Sequence, residues 1–161
     1  MTASRDALIL GLGNRLMSDD AAGPLVIKRL ASLAPDGTRM LDGGTLGIAL
    51  LPEIEASEAL IVVDAAELGA SPGAVAVFHG ADMDRMLGGV KKTAHEIALS
   101  DLIAAAKLTG ACPPQRALVA VQPETIALGL EPSQCVASAI PQMVAEILLI
   151  LERWRSEARA A

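Results

Sequence analysis

Short aliphatic runs recur along the chain, separated by turn signals or by stretches of helical period: LILGL at 8–12, TRML at 38–41, LIVVD at 60–64, AVAVF at 74–78 and ALVAV at 117–121. These runs are largely apolar on both faces, as strands are when helices cover a sheet from both sides. Strand–helix–strand alternation of this kind predicts a three-layer α/β/α fold with a mostly parallel sheet. One connection departs from the pattern. Only AAELGASPG separates the strands at 60–64 and 74–78, shorter than the roughly dozen residues that a parallel crossover needs. That pair is expected to be antiparallel, which makes the five-stranded sheet mixed.

The helical segments carry their own punctuation. Ala22, Leu25, Val26, Leu30 and Leu33 fall on one helical face, and Pro24 sits in the first turn, where its missing N–H does little harm. GTLGIALLPEI reads as a short helix ending near Pro52, and HEIALSDLIAAAKLTG as a third helix stopped by Gly110. The last helix is expected from about Ser133 to Arg155, with Val136, Ile140, Met143, Ile147, Leu151 and Trp154 on one stripe. Pro141 should kink it or mark its start.

Length and composition narrow the function. A chain of 161 residues suits one domain, residues 1–161, with a substantial core. Aromatic residues make up 1% of it, so the core rests on Leu, Ile, Val and Ala, and stacking platforms for bases are missing. A net charge of −6 argues against a nucleic-acid partner, which needs a basic surface. Cys112 and Cys135 have neither metal-type spacing nor a histidine at a telling distance. No apolar run reaches the ~18 residues of a membrane span, since Glu146 and Glu152 interrupt VAEILLILERW. Nothing at the N-terminus resembles a secretory signal. A soluble, reduced, cytoplasmic protein is expected, with no membrane partner and a monomer as the simplest state.

In open α/β sheets, ligands bind beyond the carboxyl ends of the strands. That rule selects Asn14, Asp19 and Asp20 after the first strand, Asp42 after the second and Asp64 at the end of the third. His95 opens the third helix, and Glu124 follows the fifth strand. The turn GLGNRL invites a dinucleotide reading, but Leu16 stands where that fingerprint needs a third small residue. Carboxylates in the following loop also oppose a pyrophosphate. Asp42 could imitate a ribose-binding acid, so a non-catalytic nucleotide-binding module stays as the rival. GLGN also opens the peptidyl-tRNA hydrolases, which follow it closely with a catalytic histidine. Here the first histidine is His79, and the acidic balance disfavours tRNA.

The acids suit a metal better, although each has a structural explanation. Ser18, Asp19 and Asp20 are all good helix N-caps, yet two adjacent acids exceed what a cap requires. Asp64 follows the buried run LIVV, and a carboxylate there needs a partner; a turn or cap role is equally compatible. His95 follows Thr93, which forms a capping-box pattern with Glu96. His79 reads as a surface residue, and Lys91 and Lys92 as a solvated loop. Two carboxylates and an imidazole suit a borderline divalent ion with open positions. Pattern alone does not choose the ion.

Five segments in order, GLGNRLMSDDAAGPLV, LDGGTLGIALLPEI, LIVVDA, TAHEIALSDLIAAAKLTG and LVAVQPETIALGLEPS, together resemble the nickel–iron hydrogenase maturation endopeptidases. The similarity runs from about residue 8 to residue 150. It implies a hydrolase that removes a short C-terminal extension from the hydrogenase large-subunit precursor once nickel is inserted. It further implies metal contacts from Asp20, Asp64 and His95, with Asp20 or Asp64 as the base and the nickel presented by the precursor. Many relatives carry Glu where this chain has Asp20, one methylene shorter, and Asp19 is placed to help. Asp42, Gly43 and Gly44 are expected to shape the cleft floor, and Glu124 to hold the local loop or orient a ligand. A chaperone that senses nickel loading without cutting is the alternative within the same setting.

Overall fold

The computed structural model describes residues 6–89 and 94–161, with side chains in the second segment described from Ala98 onward. Its five strands are β1 (Ala7–Leu12), β2 (Thr38–Gly44), β3 (Ala59–Ala65), β4 (Val75–His79) and β5 (Gln115–Val121). They form one sheet in the order β2-β1-β3-β5-β4. The first four of these neighbours run parallel, and β4 runs antiparallel to β5. The mixed, mostly parallel five-stranded sheet is therefore as the sequence predicts.

One adjacency differs. β4 is antiparallel, but it pairs with β5 rather than with β3, because β5 occupies the place between them. The short connection at 66–74 passes over the end of β5 and is bonded to it: Ala66 N–H donates to Val121 O and Gly73 N–H to Gln122 O. The crossover that lays β5 beside β3 is made by α3 (Gly80–Leu87) and α4 (Ala94–Leu108). α3 is absent from the sequence reading. Only Met83 and Leu87 of its eight residues are buried, too few for a clear helical stripe.

The other helices are α1 (Ala22–Leu33), α2 (Leu51–Glu55) and α5 (Gln134–Ala160). α1 and α5 cover one face of the sheet, and α2, α3 and α4 cover the other. Successive strand residues point to opposite faces. Ile61 and Val63 of β3 meet Val26, Leu30, Val136 and Met143, while Leu60 and Val62 join Leu50, Ile54, Leu99 and Leu102. The expected face of α1 is buried at Ala22, Val26 and Leu30, but Leu33 is exposed. The helix ends just beyond it, where Ala34 adopts a left-handed conformation (φ 42°) and donates to Leu30 O.

Pro52 begins α2 rather than ending it; a residue with fixed φ and no N–H fits the first turn. A 3₁₀ turn, Gly47–Leu50, leads into it. α5 continues through Pro141. Its length and composition would suit a membrane span, yet 44% of its most apolar window is buried inside the protein. That burial follows the predicted stripe of Val136, Met143, Ile147 and Trp154.

Candidate active site

From β1 the chain moves outward to β2, and from β3 it moves in the opposite direction across the sheet. The crevice beyond the carboxyl ends of β1 and β3 is thus a topological switch point, where ligands of open α/β sheets bind. Three glycines draw the start of α1 onto this edge. A Cβ on Gly23 would stand 2.2 Å from Leu12 O and 2.6 Å from Val63 O, and one on Gly11 would stand 2.8 Å from Gly23 O. Gly13 has φ +131°, and a Cβ there would be 1.8 Å from Asp20 O. The Gly-x-Gly turn is filled by the protein's own backbone.

Asp20 comes to the crevice in the 3₁₀ turn Ser18–Ala21, which packs against β3. Its Oδ2 accepts from Asn14 N–H at 2.8 Å. Asp64 is the penultimate residue of the central strand and is 2% exposed. Strand alternation puts its side chain on the face of Leu60 and Val62, the face that α4 covers. α4 precedes β5, so it runs back along the sheet and starts at the same carboxyl edge. His95 lies in its first turn; the His95 side chain is outside the described residues, as are Lys91, Lys92 and the Thr93 cap.

Asp19 does not help Asp20 at the crevice. Fully buried, it faces the loop after β5. Its Oδ1 accepts from Ser133 N–H at 2.6 Å. Its Oδ2 accepts from Glu124 N–H at 2.8 Å, Thr125 N–H at 3.0 Å and Ser133 Oγ at 2.9 Å. Burial alone would raise its pKa, but the N–H groups of Thr125, Ser133 and Glu124 and the Ser133 hydroxyl outweigh burial and hold it below 3.8. Ser18, at φ +50°, extends the seam. Its N–H donates to Gly129 O at 2.9 Å and its hydroxyl to Ala127 O at 2.7 Å.

The remaining candidates resolve into supports. Asp42 is held by Arg15, whose Nη2 and Nε reach Oδ2 at 2.5 and 3.0 Å, and it accepts Gly44 N–H at 3.1 Å. It is thus committed within the protein and is no ribose ligand in waiting. Gly43 sits on Leu10, Leu12 and Leu50 without room for a side chain, while Gly44 O receives Gly13 N–H at 3.1 Å. Of the two, only Gly44 is bonded to the turn that leads to Asp20. Glu124 presents its backbone N–H to Asp19 while the residue itself is exposed. His79 is exposed, as expected.

Sequence reasoning missed Gln122. It is buried, accepts Leu68 N–H at 2.7 Å, and donates to Glu67 Oε2 at 3.1 Å and Pro123 O at 3.3 Å. The signal was a long amide directly after the aliphatic run ALVAV.

Among the described residues, no three His, Cys, Asp or Glu side chains form a metal-holding group. Asp20, in the turn before α1, and Asp64, near the end of β3, carry carboxylate oxygens of the type that divalent ions take.

The layer order and the switch point define a three-layer α/β protein with Asp20 and Asp64 at the carboxyl edge of its sheet. The family description HycI, hydrogenase maturation protease, matches residues 24–150. The hydrogenase expression/formation protein HupD of Rhodobacter capsulatus is 37% identical over 155 residues, covering 93% of this chain and 73% of that protein. The hydrogenase 2 maturation protease of Escherichia coli is 31% identical over 147 residues, covering 87% and 89% respectively. The solved structure of the hydrogenase maturating endopeptidase HybD from Escherichia coli superposes with a TM-score of 0.85 at 28% identity, over 92% of this chain and 93% of that one. The chain belongs to the hydrogenase maturation protease family, and it is a hydrolase of that class.

Proposed function

We propose that this protease removes the C-terminal extension of a nickel-loaded nickel–iron hydrogenase large-subunit precursor. Asp20, Asp64 and His95 contact the nickel that the precursor brings. The observation that carries this reading is the placement of Asp64, 2% exposed at the end of the central strand, beside the turn that holds Asp20. Ionised carboxylates and an imidazole are suitable ligands for a divalent ion with open positions. A substrate-held ion supplies Lewis acidity at the scissile carbonyl. Asp20 or Asp64 takes the proton of the attacking water, so the hydrolysis is of aspartic type at the protein's side. The nickel is thus part of the substrate, and cleavage is committed only to a loaded precursor.

A nucleotide-binding module is disfavoured because the backbone of Asp20 fills the space over Gly13. A cytoplasmic monomer belongs to the same proposal, and the free thiols of Cys112 and Cys135 support a reducing compartment.

The test is to mix the purified protein with nickel-loaded and with nickel-free precursor and to weigh the products by mass spectrometry. The loaded precursor should lose its extension and the nickel-free one should not. Asp64→Asn and His95→Ala should each abolish cleavage with the fold intact. A loaded precursor that is bound but keeps its full mass would show a nickel-sensing chaperone instead. Full activity in either variant would remove the site assignment.

A further inference from the structure

Six large aliphatic side chains, each more than half exposed, stand on three loops at the carboxyl edge of the sheet. Leu16 follows β1, Leu46 and Ile48 follow β2, and Ile126, Leu128 and Leu130 follow β5. Backbone hydrogen bonds join these loops. Gly13 N–H donates to Gly44 O at 3.1 Å, Gly129 N–H to Leu16 O at 2.9 Å, and Ser18 N–H to Gly129 O at 2.9 Å. The six residues therefore border one continuous surface that runs past the turn of Asp20. An exposed apolar tract of this kind, rimmed by polar groups, marks an interaction site.

The loop after β5 is not exposed through looseness. The buried carboxylate of Asp19 holds it at Glu124, Thr125 and Ser133, and Ser18 holds it at Ala127 and Gly129. It is anchored on one side and offers Leu128, 82% exposed, on the other. Its charge is one-sided as well. The stretch PETIALGLE contains Glu124 and Glu131 and no Lys or Arg, and the nearby Arg15 is already paired with Asp42.

We propose that this surface docks the precursor polypeptide, through an apolar segment bordered by basic residues. The inference rests on the peptidase reading above: a chain whose scissile bond approaches Asp20 and Asp64 must pass over the loops that flank them. Apolar side chains of the precursor cover Leu16, Leu128 and Leu130, and its Lys or Arg residues face Glu124 and Glu131. Docking on the loops beside the reacting bond lets the enzyme recognise the folded precursor as well as its metal.

Binding of nickel-loaded precursor is measured on an Asp64→Asn background, so that the precursor is not consumed. Adding Leu128→Ser and Leu130→Ser should weaken binding about tenfold or more. In the cleaving enzyme the same pair should raise KM. Both side chains are exposed, so the thermal midpoint should not move. Leu108→Ser is the matched control: Leu108 is 90% exposed but lies at the end of α4, at the opposite edge of the sheet. Raised salt should weaken the Asp64→Asn parent's binding and have less effect on a Glu124→Gln, Glu131→Gln variant. Unchanged affinity in the leucine double variant, or an equal loss with Leu108→Ser, overturns the proposal. So does a dimer that the double variant dissociates without loss of precursor affinity, since the occupant would then be a second copy. If the precursor binds through the strip but is never cut, the peptidase reading fails and the docking surface stands. If it is cut normally by the leucine variant, the docking surface alone fails.

Discussion

Asp19→Asn changes one atom of a carboxylate that four donors share. The amide can turn its oxygen toward Glu124 N–H, Thr125 N–H and Ser133 Oγ, which now lie 2.8, 3.0 and 2.9 Å from Oδ2. Its NH₂ then faces Ser133 N–H, which now sits 2.6 Å from an acceptor, and two donors oppose each other. Hydrogen bonds to a charged acceptor are worth roughly 1 kcal/mol more than neutral ones. Three weakened bonds and one repulsive contact, set against the relief of burying a neutral group, leave a net loss of about 2–3 kcal/mol. For a chain of this size that is a fall in Tm on the order of 5–10 °C. Urea unfolding followed by circular dichroism measures it, with the midpoint lowered and the slope unchanged.

The pH dependence supplies a second readout. The Asp19 pKa is held below 3.8 in the folded chain, so the unfolded chain binds the proton first as pH falls. Its contribution is full above 3.8 and is lost as pH drops through the folded value. The gap between wild type and Asp19→Asn should therefore close in acid. Asp84, also held low by Arg116, cancels because both proteins retain it. Stabilities within about 0.5 kcal/mol at neutral pH, a span usual for surface changes, would refute the clasp. So would a gap that persists undiminished into acid.

Gly23→Ala should destabilise by about 3 kcal/mol or more, at the upper end of overpacking costs, because three backbone atoms lie within 2.7 Å of the added carbon. Thermal unfolding reads it. Arg116→Met removes two bonds to Asp84, at 3.1 and 2.7 Å, from a pair that is 15% and 21% exposed. Lys107 still reaches Asp84, so the loss should stay near 1–2 kcal/mol. Precursor cleavage should be unchanged, since this cluster lies at the opposite edge of the sheet.

The strands were legible because burial on both faces leaves an aliphatic run with few alternatives. LIVVD sits within β3, and ALVAV forms the end of β5. Spatial order was less legible. The direction of β4 followed from a short connection, but the insertion of β5 depends on where α3 and α4 return the chain. α3 buries too little to announce itself. At the candidate site, the strand-end rule placed Asp20 and Asp64 at the carboxyl edge without any contact information. It could not separate Asp19 from Asp20, which are adjacent and chemically identical. The partners that distinguish Asp19 are 105 to 114 residues away. The pairing of Arg15 with Asp42, 27 residues apart and on different loops, was hidden for the same reason.

The two aspartates divide their work because a 3₁₀ turn sends neighbouring side chains in different directions. Asp19 points inward and is saturated by donors; Asp20 is half-buried and accepts the N–H of Asn14. Ser18 holds this turn at φ +50°, a conformation that costs a non-glycine residue on the order of 1–2 kcal/mol. The bonds from Ser18 and Asp19 to the loop at 124–133 offset that strain. The strained turn and the anchored loop consequently stabilise each other, and neither keeps its position alone. A ligand that presses on Leu128 acts on the same hydrogen-bonded body that aims Asp20. If the precursor docks there and Asp20 takes part in cleavage, recognition and placement of the acid share one hydrogen-bonded body, joined through the buried Asp19 carboxylate.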